Sequence, residues 1–142
     1  MKIILSEVIC VGKNISGIPE IYSAISIVFK KDADVIPIIE ELNGIGIPNI
    51  AIRTPKIDPV VCLDIAIVKN ESFWELNDAL SKMFMYVDGN LHGLKEITQK
   101  YRGEIWIDMA FYQHGTYPAL IISGQNMKKI HFLEANISID PY

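Results

Sequence analysis

Four stretches of the chain alternate apolar and polar residues with a period of two. The last ten residues, Leu133-Glu-Ala-Asn-Ile-Ser-Ile-Asp-Pro-Tyr142, turn Ile137 and Ile139 one way and Asn136, Ser138 and Asp140 the other. That alternation predicts a short terminal strand with one buried side, fed by a helix end and stopped by a proline. Tyr22 to Lys30 sets Ile25, Ile27 and Phe29 against Tyr22, Ala24, Ser26 and Val28. Val60 to Val68 directs Val61, Leu63, Ile65 and Ile67 inward and Cys62, Asp64 and Ala66 outward. Glu104 to Tyr112 directs Ile105, Ile107, Met109 and Phe111 inward and Trp106, Asp108, Ala110 and Tyr112 outward. Each predicts a strand with one face on a core. Met1 to Cys10 reads as a further strand, and Tyr117 to Ser123, apolar on both faces, as a central one.

Between these runs the apolar spacing changes to that of helices. After a cap at Asp32 or Asp34, Val35, Ile38, Ile39 and Leu42 form one stripe, Pro37 sits in the tolerated first turn, and Asn43-Gly44 ends the element. Ile45 to Pro59 carries three prolines and reads as an irregular excursion with at most a short edge strand at Ile50 to Arg53. Ser72-Phe-Trp-Glu75 has the spacing of a capping box and predicts a helix repeating Phe73, Leu76, Leu80, Met83 and Val87, broken at Asp88-Gly89. Trp74, beside Phe73, points off this stripe and is expected to pack between helix and loop, with a partly exposed aromatic anchor as the alternative. A second helix carries Leu91, Leu94, Ile97 and Tyr101 and closes on Lys100, Arg102 and Gly103. His114-Gly115 makes a turn, and Gln125 to Ala135 reads as a short helix burying Met127, Ile130 and Leu133. The element order predicts an α+β fold, a mainly antiparallel sheet with helices packed on one face.

Size and composition narrow the reading. A chain of 142 residues, half of them apolar, fits one domain over residues 1–142 with a core large enough to need no staples. A net charge of −4 argues against a protein that binds nucleic acid by neutralising phosphates. No stretch approaches the roughly 18 consecutive apolar residues of a membrane span. Glu7 interrupts the apolar N-terminal run and Ile9 stands before Cys10, so neither a signal peptide nor a lipoprotein site is expected. The chain is therefore expected in a reducing cytoplasm, with Cys10 and Cys62 as free buried thiols and the sequons at Asn14, Asn70 and Asn136 as chance.

Three places carry a family resemblance: Asp32-Ala-Asp-Val-Ile-Pro-Ile-Ile-Glu-Glu-Leu after an alternating strand, the broken helix pair from Ser72 to Tyr101, and the terminal Leu133 to Tyr142. There the chain resembles bacterial proteins of domain-of-unknown-function family 4279. These are packing and capping motifs, so the resemblance carries no catalytic residues. It implies a small cytoplasmic bacterial protein without assigned chemistry, of a kind that can include toxin-neutralising immunity proteins.

Candidate chemistry is sparse. His92, His114 and His131 show no metal-ligand spacing, and the glycines build no phosphate loop. Asp108 and His114 lie six residues apart across a turn, which permits an acid/base pair, although a solvated turn histidine is the better reading. Lys30-Lys31 and Lys128-Lys129 read as solvated surface. The most informative set is the outward strand face, comprising Tyr22, Ser26, Cys62, Asp64, Trp106, Asp108 and Tyr112. If helices cover only one side, this second face mixes aromatics with carboxylates, as interfaces do. Burial under the Ile45–Pro59 excursion or the N-terminal strand is the simpler alternative.

The leading expectation is a non-enzymatic protein-interaction module, an immunity or inhibitor protein. It would bind a protein partner, such as a basic toxin, through Tyr22, Ser26, Asp64, Trp106, Asp108, Tyr112 and His114. No catalytic residue, cofactor or metal is expected, and neither nucleic acid nor membrane is an expected partner; a homodimer stays open. The rival is a small ligand-binding domain or enzyme with a pocket on the open sheet face and Asp64, Asp108 and His114 as its polar groups.

Overall fold

Long alternating strands with helices between them can bury their apolar sides only by sharing one sheet face. The computed structural model, which describes residues 1–5, 17–112 and 117–141, has this arrangement. Strands β1 (Ile3–Leu5), β2 (Glu20–Lys30), β3 (Ala51–Arg53), β4 (Val60–Ser72), β5 (Glu104–Tyr112) and β6 (Asn136–Pro141) form one sheet in the order β1-β6-β5-β2-β4-β3. Pairings of β2 with β4 and β5, and of β3 with β4, are antiparallel; β6 runs parallel to both β1 and β5. Helices α1 (Ile36–Gly44), α2 (Leu76–Met85), α3 (Leu91–Lys100) and α4 (Gly124–Phe132) complete the α+β fold.

The register explains the core. Ile25 of β2 lies opposite Ile65 of β4 and Ile107 of β5, and Ile27 lies opposite Leu63 and Ile105. These residues form one buried cluster with Ile38 and Leu42 of α1, Leu80 and Met83 of α2, Leu94 of α3 and Ile130 of α4. Each such side chain contributes about 1.5–3 kcal/mol by leaving water. The terminal strand joins the same cluster through Ile137 and Ile139, as its alternation predicts, but it lies inside the sheet between β5 and β1. Among the described residues no helix is long and apolar enough to cross a membrane.

Five local expectations are corrected. Ile67 does not join the buried core. Ile25 pairs with Ile65 while Ser23 pairs with Val68, so the single residue Ala24 of β2 opposes two of β4, Ala66 and Ile67; this bulge puts Ala66 at φ +52° and hands the buried position to Val68. The capping box does not form. Ser72 still belongs to β4 opposite Glu20, Phe73 N–H donates to Pro19, and α2 starts at Leu76, whose N–H donates to Ala119. Tyr117 to Ser123 is no strand; Ala119 bridges Glu75 and the remainder runs without a ladder, Pro118 having no donor to offer one. Trp74 is 55% exposed rather than packed. In α4, Ser123 caps the first turn by accepting from Asn126 N–H, and Met127 is only partly buried.

Helix exits add detail to their sequence signature. Helix α1 ends at Gly44, as Asn43-Gly44 predicts, and the left-handed turn follows at Gly46, at φ +92°. After α3 it is taken by Arg102, at φ +57°. Gly103 serves a close approach instead, because a Cβ there would stand 2.5 Å from the Phe29 ring.

Candidate functional site

All residues proposed on the outward strand face that the structure describes do share that face. Ser26 stands opposite Asp64 on β4 and Trp106 on β5, while Ala24 stands opposite Asp108, which puts Asp108 diagonal to Ser26. The centre is closed: Ser26 is 1% exposed and Asp64 5%. Trp106, Asp108 and Tyr22 are half-buried around it, and Tyr112 is exposed at the end of β5. His114 and Cys10 lie outside the described residues. The face is thus neither fully covered nor fully open: its middle is buried and its rim is not.

Short hydrogen bonds organise the middle. Ser26 Oγ is 2.6 Å from Asp64 Oδ1 and 2.6 Å from Asp108 Oδ2. Sequence reasoning missed the fourth member, Arg53. It comes from β3, which pairs Arg53 with Cys62 and so projects its side chain onto the same face as Asp64. Arg53 Nε donates to Asp64 Oδ2 at 2.9 Å and Nη2 to Asp64 Oδ1 at 3.2 Å, a two-point grip of the kind a planar guanidinium makes. Its Nη2 also donates to Ser26 Oγ at 3.4 Å and stands 3.6 Å from Asp108 Oδ2. The only available signal was an arginine in the expected edge strand beside a strand with an outward aspartate.

The electrostatics follow burial. Burial raises the Asp108 carboxyl above the usual carboxylate range, against the opposing pull of Ser26 and Arg53. Burial also raises the Tyr22 phenol, with Asp64 adding to the effect. The Cys62 thiol is raised by burial too, which leaves it protonated and unreactive. The hydrogen bond to Asp64 holds Arg53 above the ordinary guanidinium value.

A hollow of about 420 Å³ lies elsewhere, lined by Ile47, Asn49, Ala66, Ile67 and Tyr86 among others. Its described lining includes no carboxylate, so Asp64 and Asp108, two polar groups of the ligand-binding rival, are not among the residues around it. Among the described residues no three His, Cys, Asp or Glu side chains gather as metal ligands. His92 instead pairs with Glu96 at 3.0 Å along α3. No family model, curated protein or solved structure matches the chain.

Proposed function

We propose that the chain is a non-enzymatic interaction module that binds a protein partner through the sheet face that no described helix covers, in the manner of an immunity or inhibitor protein. The observation that carries this reading is the arrangement of that face: an Arg53–Asp64–Ser26–Asp108 network at the centre, with the half-buried Trp106 and Tyr22 at its edge. Buried polar networks add little to stability compared with apolar residues of the same volume, but they fix geometry. Aromatic and arginine side chains around such a centre are the residue types that anchor interfaces. The net charge of −4 would favour approach of a basic partner, such as a nuclease toxin, to the protein as a whole. Membership of family 4279 belongs to the same proposal.

The test is capture of a partner by immobilised protein, in parallel with Trp106→Ala. A partner retained by the wild type should be lost from Trp106→Ala, since truncating an aromatic anchor typically costs at least ~2 kcal/mol of binding, while the melting temperature stays within a few degrees. Partners retained equally by both proteins would overturn the assignment of this face.

A further inference from the structure

The Ser26 hydroxyl carries one hydrogen, yet two carboxylate oxygens stand 2.6 Å from it. Contacts that short need a hydrogen between the oxygens. With both carboxylates ionised, one contact would set lone pair against lone pair, so the cluster must hold a second proton. Its place follows from the donors already present. Asp64 receives Arg53 Nε at 2.9 Å and Nη2 at 3.2 Å in addition to Ser26, which serves an ionised group well. Asp108 has Arg53 Nη2 only at 3.6 Å.

We infer that a proton resides on Asp108, in the line Asp108 Oδ2–H to Ser26 Oγ and Ser26 Oγ–H to Asp64 Oδ1, and that its loss is a switch that draws Arg53 towards Asp108 and adds one negative charge to the open face. The step is a simple ionisation: the proton leaves to solvent, which reaches the Asp108 side chain because 32% of it is exposed. No bond other than O–H breaks.

The surrounding groups fit that assignment. From β2 the titratable neighbour is Tyr22, from β3 Arg53, from β4 Asp64 and Cys62, and from β6 Asp140. Burial raises both Tyr22 and Cys62, so neither ionises in the acidic range. Burial also raises Asp108, against the opposing pull of Ser26 and Arg53, and the neighbouring charges of Asp64 and Asp140 add to the rise. The sign of the linkage is fixed: a carboxyl raised in the folded state contributes stability that is fully present below its unfolded value and is lost as pH rises through the folded one. The switch stands on the geometry alone. Only its consequence, tighter capture of a basic partner once Asp108 ionises, rests on the partner-surface reading.

Carboxyl 13C resonances of the full chain, labelled at aspartate and followed against pH, test it. Asp108 is expected to titrate above every other described aspartate, and that high-pH transition is expected to vanish in Asp108→Asn, whose amide imitates the protonated acid. Asp108 titrating together with the exposed aspartates, or the raised transition persisting in Asp108→Asn, would overturn the inference. Should Asp108→Asn fail to fold, sequential assignment of the wild type still decides which residue carries the transition. A raised Asp108 alongside unchanged capture by Trp106→Ala would sink the partner reading and leave the switch standing.

Discussion

Ile107 and Trp106 are neighbours on one strand, yet they belong to two different kinds of surface. Ile107 is fully buried among apolar side chains from the sheet and the helices. Trp106 is half-buried, its Nε1 donating to Glu104 at 3.3 Å, on the face that carries Arg53, Asp64, Ser26 and Asp108. The helix-covered face is held by contacts that are numerous and interchangeable in kind. The open face is held by a few directional bonds whose loss alters geometry more than it alters burial. One sheet therefore carries an apolar packed face and a polar face with a buried centre and an exposed rim.

The sharpest way to break this comparison is to remove the terminal strand. Deleting residues 137–142 takes Ile137 and Ile139 from the core and empties a place inside the sheet between β5 and β1. Losing two buried isoleucines at about 2–5 kcal/mol each approaches the ~5–15 kcal/mol that a whole domain has. Insoluble or partly unfolded protein is expected by circular dichroism and size exclusion. A truncated chain melting within a degree or two of the full-length one would refute it.

Gly103→Ala tests the packed face from within. The new Cβ would meet the Phe29 ring at 2.5 Å and Ile27 at 3.1 Å, an overpacking that costs about 1–3 kcal/mol, readable as a lower urea midpoint. On the open face, Asp64→Asn leaves the guanidinium without its carboxylate. Hydrogen bonds to charged groups are worth ~1.5–3 kcal/mol, but 47% of the Arg53 side chain is exposed and water replaces part of the loss. About 1–2 kcal/mol is expected, against less than ~0.5 for Asp108→Asn in mildly acidic buffer. Equal costs for the two would remove the asymmetry between the carboxylates. The smallest effect concerns a misfit on the packed side: Ser23 is fully buried, and its hydroxyl has no hydrogen-bond partner among the described residues. Ser23→Ala is expected to raise stability by about 1 kcal/mol, since an unsatisfied buried hydroxyl costs roughly that; a lowered urea midpoint would show a hidden partner.

Strand faces were legible because a period of two persists as long as the ladder is regular. Val61, Leu63, Ile65, Ile105, Ile107 and Met109 all lie where alternation places them. At Ala66 a residue is inserted, the period slips, and Ile67 is misassigned; nothing in an alanine announces a left-handed backbone. The terminal strand was readable as a strand, but its position inside the sheet was not, because its parallel neighbours β1 and β5 are remote in the chain. The apolar run at Tyr117 to Ser123 misled for the opposite reason: apolarity without alternation does not specify a ladder. Of the central cluster, Ser26, Asp64 and Asp108 were legible as one face. Arg53 was not, since its partners lie 11 residues away in Asp64 and 27 in Ser26, and only the pairing of β3 with β4 brings it over them.

The division of labour between the two faces is tested most directly by unfolding Ile107→Ala and Trp106→Ala in urea beside the wild type. The substitutions are adjacent on β5 and differ in the face they touch. Ile107→Ala is expected to cost about 2–5 kcal/mol, the usual range for a buried isoleucine, and Trp106→Ala clearly less, because its ring is only half-buried. A Trp106→Ala protein destabilised as much as Ile107→Ala, or unfolded outright, would contradict the account, because the outward face would then belong to the core.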